Sequence, residues 1–188
     1  MIKNQDRSKW FGASDTAIML GRIETATFSQ FWGVKLGLIV GGYNNKAMQL
    51  GNLLEHAIID KIAEITGQAI RKGKFPSYRR HRLRVNYDGL TRDAVIEVKT
   101  SEKGFDKVPK NYWMQCQVLM YAKHRKQCEL WLYRVTNDDY RNPYFAEIAT
   151  ERLAKFEIPY DAEWIANTYL PRLRYLSRCL RRWEYPHA

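Results

Sequence analysis

Apolar positions recur along the chain with two different periods. Over residues 47–65 they fall at Leu50, Leu54, Ala57, Ile58, Ile62 and Ile65. Steps of three and four lay one apolar stripe along an α-helix, and Gly67 behind it supplies a stop. Glu55 lies at the flank of that stripe, beside Ile59 and Ile62, and off the wet face that Asp60 and Glu64 share. Shorter helices are predicted over residues 14–20, opened by Gly12-Ala13-Ser14-Asp15, and over 29–36, closed by Gly37. A glycine-rich loop through Gly41-Gly42-Tyr43 separates the second helix from the third.

Period two follows. Leu83, Val85 and Tyr87 alternate with Arg84 and Asn86, as in a half-buried strand, and Asp88-Gly89 reads as a turn into a second strand over 94–99. Residues 112–122 return to helical spacing. Strands are expected over 129–135 and 144–148, paired across the polar stretch 137–142. Asp161 caps a last helix running toward Trp183, with Pro171 near a kink or break. The sum is an α/β fold with a mixed central sheet flanked by helices.

Composition narrows the class. The chain has 188 residues, and 45% of them are hydrophobic. That is the size of one domain with enough apolar material for a core, so residues 1–188 are expected to form a single domain. No apolar run is long enough to span a membrane, and residues 1–9 lack the apolar stretch of a secretory signal. A cytoplasmic protein with no membrane association is expected. Cys116, Cys128 and Cys179 form neither a disulfide framework nor a CxxC pair, and His81, His124 and His187 show no zinc spacing. His56 points to the polar face beside Glu55 and reads as solvated. The net charge of +11 points to a polyanionic partner, and Arg172, Arg174, Arg178, Arg181 and Arg182 concentrate part of it on the last helix.

The carboxylates carry more information than the basic field, because they interrupt it in a pattern. In a strand, Glu97 and Lys99 share one face while Ile96 and Val98 take the other. If the strand ending at Asp88 lies beside theirs, Asp88 and Glu97 converge with Lys99 alongside. Two such carboxylates repel, and burial raises the cost. A hard divalent cation, Mg2+ or Mn2+, relieves it, with the Val98 carbonyl as a further oxygen ligand. Such a site suits phosphodiester hydrolysis: an ion activates water, a second steadies the leaving oxygen, and Lys99 orients the water or neutralises phosphate charge. Asp93, inside the turn, is the lesser candidate ligand. An isolated Glu-x-Lys is common, and an ordinary surface pair on an amphipathic strand is the plain alternative.

The order of short motifs is more specific than any one of them. Gly12-Ala-Ser14-Asp15, Trp32 with Lys35-Leu-Gly37, Ala47-Met48 with Gly51 and Glu55, Asp88-Gly89, Glu97-Val-Lys99, and Tyr112 with Gln115-Cys-Gln117 and Met120-Tyr121 follow in one order. Together they resemble the YqaJ-like, lambda-exonuclease family of PD-(D/E)XK nucleases, from about Arg7 to Tyr121. The resemblance implies a restriction-endonuclease-like core, so that the domain over 1–188 is a nuclease domain. It implies Glu55, Asp88 and Glu97 as metal-site carboxylates, Lys99 as catalytic lysine, and Gln115 near the attacked water and scissile phosphate. Gln117 and Tyr121 would support the site. Arg7 matches the family position that contacts a 5′-terminal phosphate, Ser14 would join it at a helix start, and Asn86 stands where the lambda enzyme has serine.

The same resemblance implies a 5′→3′ exonuclease on double-stranded DNA ends, needing Mg2+ with two ions in play. It implies a homotrimeric ring, a single-strand annealing protein as partner, and a bacterial host or prophage origin. Two other readings stand beside it: a structure-selective or restriction-type endonuclease of the same superfamily, and a non-catalytic DNA-binding module that keeps the fold. The full set of Glu55, Asp88, Glu97 and Lys99 speaks against the binding module, which has no use for three carboxylates against phosphate.

Overall fold

The structure, a computed structural model, describes residues 7–41, 45–73 and 75–187. The polar segment 1–6 and the Gly42 and Tyr43 part of the glycine-rich loop lie outside the described residues. A 3-10 turn, Ala13–Asp15, runs directly into the one-turn helix α1 (Thr16–Met19). Helix α2 (Ala26–Leu36) begins three residues before the expected start, because Thr25 accepts the Phe28 N–H and caps it there. Gly37, at φ 76°, closes it in the left-handed conformation. Helix α3 (Lys46–Thr66) follows the apolar stripe throughout, from the Asn45 cap to Gly67 at φ 66°.

The strands, in chain order, are β1 (Arg71–Lys72), β2 (Ser77–Arg79), β3 (Leu83–Val85), β4 (Gly89–Leu90) and β5 (Ala94–Ser101), then β6 (Gln127–Arg134) and β7 (Leu153–Pro159) after helix α4 (Lys110–Lys123). The main sheet runs β1-β4-β5-β6-β7, while β2 and β3 form a separate two-stranded sheet. β5 and β6 are parallel and joined by α4; the other pairings are antiparallel. The expected mixed sheet flanked by helices is what forms.

Two cores sit on the two faces of this sheet. α4, the first two helices and the C-terminal helix bury one cluster, with Trp32, Met120 and Leu173 fully enclosed. α3 buries the other, laying Leu54, Ile58 and Ile62 on Ile96 and Val98 of β5. A side chain at Gly51 would put its Cβ 2.9 Å from the Thr100 hydroxyl, so glycine lets α3 cross β5 at close range. At Gly89 a Cβ would come within 2.7 Å of Ile70, which keeps β4 tight against β5.

Three expectations require correction. The Leu83–Val85 strand does not lie beside β5; its partner is β2, and the neighbour of β5 is the two-residue β4 that follows Asp88. Residues 144–148 form no strand. Thr136 and Asp139 cap a short helix α5 (Asn137–Arg141), a 3-10 turn follows at Pro143–Phe145, and the antiparallel partner of β6 is β7. The last helix does not break at Pro171. Asp161 caps α6 (Ala162–Trp164), which widens into a π-helical stretch, Ile165–Tyr169, directly before Pro171 and continues as α7 (Leu170–Arg182). No helix among the described residues is long and apolar enough to cross a membrane.

Candidate active site

β4 stops one residue short of Glu97. Its register pairs Gly89 with Ile96 and Leu90 with Val95, so Asp88 stands next in line beside Glu97. Among the described residues no strand pairs with this edge of β5 from Glu97 onward, and the Asp88 carboxylate replaces one: the Val98 N–H donates to Asp88 Oδ2 at 2.7 Å. The N–H and C=O of a strand residue face the same edge, so the Val98 carbonyl also faces this opening.

Glu97 is 3% exposed. Its Oε1 accepts from Lys99 Nζ at 2.7 Å and from Gln115 Nε2 of α4 at 2.5 Å. Its Oε2 is buried and has no hydrogen-bond partner among the described residues. A buried acceptor left without a donor is costly. Lys99 also lies over the Tyr112 ring, 5.2 Å from its centre. Glu55 arrives from α3, half-buried, and lines one cleft with Asp88, Glu97, Val98 and Lys99.

The electrostatics follow from this enclosure. Burial pushes the Asp88 carboxyl well above the ordinary carboxylate range, and the charges of Glu97 and Glu55 push it further. Glu55 rises for the same reasons, burial first and Glu97 next. Burial alone would lower the Lys99 ammonium, but Glu97 and Asp88 outweigh it and hold the lysine firmly charged. A set of crowded, high-pKa carboxylates around an unpartnered oxygen has the donor chemistry of a hard divalent cation site. As they stand, no three acidic, histidine or cysteine side chains among the described residues are close enough together to hold an ion. One oxygen of each, Asp88 Oδ2 and Glu97 Oε1, is turned to Val98, Lys99 and Gln115 instead.

The three residues expected to meet a terminal phosphate are brought to the same place. Arg7, Ser14 and Asn86 line a cavity of about 130 Å³ together with Asp88, Glu97 and Gln115. Arg7 Nη2 donates to Ser14 Oγ at 3.0 Å. The 3-10 turn and α1 are short, and the Gly12 N–H is already taken by Asp15 Oδ2 at 2.7 Å. The Arg7 guanidinium and the Ser14 hydroxyl are the side-chain groups there that suit an anion.

Gln117 and Tyr121 do not join the carboxylates. Gln117 is fully buried, donates to the Pro159 carbonyl and accepts from the Asp161 N–H, so it fixes the junction of β7 and α6. Tyr121 packs at the edge of the α4 core. Asp93 is exposed in its turn, and His56 is exposed beside Glu55. Cys116, Cys128 and Cys179 are buried free thiols. The sequence reading missed Trp10 and Arg84, which line the Arg7 cavity, and the place of Lys35 in its wall. Trp10 adjoins Phe11 in the sequence and looks like one more core aromatic; only its alternation with the buried Phe11 could have set it apart.

Comparison with known proteins agrees with this architecture. An alkaline exonuclease from Laribacter hongkongensis, in its crystal structure with dAMP, superposes with a TM-score of 0.73 at 19% identity, over 94% of this chain and 90% of that one. A phage-related exonuclease from Haemophilus somnus superposes with a TM-score of 0.69 at 16% identity, over 93% and 92%. At such identities the likeness is one of fold. No curated protein matches the sequence. The YqaJ-like viral recombinase domain matches residues 4–126, which hold every carboxylate, lysine and glutamine of the cleft. By that match, across more than half its length, the chain belongs to the YqaJ-like viral recombinase domain family.

Proposed function

We propose that the chain is a Mg2+-dependent deoxyribonuclease that degrades double-stranded DNA from its ends, 5′→3′, and exposes a 3′ single strand. One observation carries the reading: Arg7, Ser14 and Asn86 share a single small cavity with Asp88, Glu97 and Gln115. An enzyme that removes one nucleotide at a time needs an anchor for the terminal phosphate and a hydrolytic centre one nucleotide away. The family match and the fold likeness to exonucleases support it.

Asp88, Glu97, Glu55 and the Val98 carbonyl would hold the metal, with Mn2+ able to replace Mg2+ and room in the acidic set for two ions. When bound, the metal supplies the charge that makes water a nucleophile near neutral pH and screens the phosphate oxygens. The residues do the rest. Lys99, kept charged by its carboxylates, faces the charge that grows on the phosphate in the transition state. Gln115 can turn its amide from Glu97 to the attacking water, and Glu97 can accept the water's proton side. Arg7 and Ser14 fix the 5′ phosphate, so that the next phosphodiester falls on the acidic cluster. A trimeric ring and a single-strand annealing protein complete the proposal, on the resemblance to lambda-exonuclease-like enzymes.

The test compares linear duplexes, labelled at either strand end, with closed circular DNA, in magnesium and in chelator. Release from 5′ ends of the linear duplex, in magnesium only, is expected. Cutting of the closed circle would make the protein an endonuclease, and release from 3′ ends would reverse the polarity.

A further inference from the structure

The geometry points to a nucleobase-stacking shelf, built by Trp10 and Tyr78, that receives the unstacked base of the 5′-terminal nucleotide of a DNA end. The inference rests on the exonuclease reading and gives it a second recognition element beyond phosphate.

The shelf begins in the backbone. The segment carrying Arg7 runs alongside β3: the Phe11 N–H donates to the Arg82 carbonyl, the Arg84 N–H to the Phe11 carbonyl, and Phe11 bridges Leu83. Side chains of an extended segment alternate. Phe11, fully buried, points into the core, and Trp10 points to the other side. On β2, Tyr78 is the register partner of Arg84. The two rings therefore meet, edge to face, with centres 4.9 Å apart.

Neither ring is spent on the core. Trp10 is half-buried and Tyr78 is 51% exposed, and neither belongs to the two apolar clusters that build the protein. Trp10 forms part of the wall of the cavity shared by Arg7, Asp88 and Glu97. That cavity is lined mainly by polar and charged side chains, among them Arg7, Ser14, Asn86, Asp88 and Glu97. It suits a phosphate and part of a sugar. With the terminal phosphate at Arg7 and the scissile phosphate at the carboxylates, the base between them lies toward the cavity wall, and Trp10 is the aromatic side chain in that wall. Arg84, which also lines the cavity, adds positive charge beside the rings. An aromatic face with flanking arginines is the general recipe for holding an unpaired base without reading its identity.

The experiment measures binding of two duplex ends that differ only in the 5′-terminal residue, a normal nucleotide or an abasic one, both 5′-phosphorylated, with calcium in place of magnesium to suppress cutting. The wild type is expected to prefer the base-bearing end by about tenfold, within the range of one base–aromatic stack. In Trp10→Ala that ratio should collapse toward one, Tyr78→Ala should narrow it, and Trp10→Phe should restore most of it. Equal affinity of the wild type for both ends, or an unchanged ratio in a folded Trp10→Ala, overturns the shelf. So does a Trp10→Ala that weakens both ends alike, since that is a structural effect. Digestion of duplex ends by the wild type in magnesium, run in parallel, separates this failure from failure of the nuclease reading: without any digestion both fall.

Discussion

Lys35 Nζ donates to Asp15 Oδ2 at 2.6 Å, and both side chains are nearly sealed from solvent, at 3% and 11% exposure. The pair holds Arg7 from two directions. Asp15 lies 3.9 Å from the Arg7 guanidinium, and Lys35 also donates to the Arg7 carbonyl at 3.4 Å. Burial pulls the Lys35 pKa down, and Asp15 opposes that pull. The pair is therefore a buried brace behind the proposed phosphate anchor.

Removing one side of the brace is expected to cost stability and end recognition together. Lys35→Met breaks a buried ion pair, a loss of about 3–5 kcal/mol where one partner is left alone, and the cost here should fall below that range because Asp15 keeps the Gly12 N–H and the Arg7 guanidinium. The wild type should digest 5′-phosphorylated ends faster than 5′-hydroxyl ends, and Lys35→Met should shrink that preference, as should Arg7→Ala with little loss of stability. Chemical denaturation and paired digestion rates check this. A Lys35→Met protein that keeps both its stability and its preference removes the brace from the account.

Asp88→Ala, Glu97→Ala and Lys99→Ala are each expected to stop cleavage while leaving the protein folded. Loss of a principal electrostatic contributor costs on the order of 10²–10³ in rate. The two carboxylate variants should hold DNA at least as tightly as the wild type without metal, because a charge facing phosphate is gone. Folded variants that retain near-native magnesium-dependent activity would move the hydrolytic centre elsewhere.

Magnesium itself should stabilise the wild type, because it binds the folded acidic cluster and not the open chain. At a hundredfold excess over its dissociation constant the gain is about 2.7 kcal/mol. Asp88→Asn should lose most of it. Thermal melts with and without chelator give the answer independently of activity, and an equal gain in Asp88→Asn would place the ion away from Asp88.

Acid stability is expected to depend on Asp139. Arg152 holds it through both guanidinium nitrogens, at 2.7 and 3.3 Å, and the Thr136 N–H adds a third bond at 2.7 Å. Burial by itself would raise this carboxyl, but the Arg152 and Thr136 bonds outweigh it and hold the carboxyl below its ordinary value of 3.8. A lowered carboxylate contributes stability at pH values above its unfolded pKa and loses it as the pH falls through the folded one. Asp139→Asn should cost about 2 kcal/mol at neutral pH, a reduced figure because Arg152 keeps 22% of its surface in solvent. It should also flatten the fall in stability below pH ~4. Denaturant titrations at pH 3 and pH 7 test both; a parallel fall in the two proteins would exclude this pair.

DNA affinity should drop steeply with salt, with a log–log slope of roughly −0.9 per phosphate neutralised. Arg172 is set apart from the other arginines of α7, since it donates to the Met19 and Gly21 carbonyls. Arg178, Arg181 and Arg182 are exposed. Replacing those three together should flatten the slope, and an unchanged slope would take α7 off the DNA surface.

The sequence disclosed those parts of the molecule whose signals are local and periodic. The stripe of α3 gave the helix and the flank position of Glu55, and the alternation of Ile96, Glu97, Val98 and Lys99 gave the faces of β5. Alternation does not say which strand lies alongside. Leu83 and Val85 would alternate beside β2 or β5 alike, while the two residues of β4 are too few to show any period. The connection after β6 was hidden by a capping box: Asp139 reads as a polar loop residue until Arg152, thirteen positions on, is seen to bind it. Arg7, Ser14 and Asn86 were legible only through resemblance, because nothing in their spacing predicts a shared cavity.

The cleft is assembled from parts that answer to different cores. Glu55 is carried by α3, seated on one face of the sheet, and Gln115 by α4, seated on the other, with Asp88 and Glu97 at the edge between them. Both helices must hold their places at once, so a local loosening of either would take the site apart without any of its residues being damaged. Heat inactivation would therefore precede melting, and stiffening the protein for use at higher temperature would gain most at the contact of Leu54 and Ile58 with β5, on the buried side of the helix that carries Glu55.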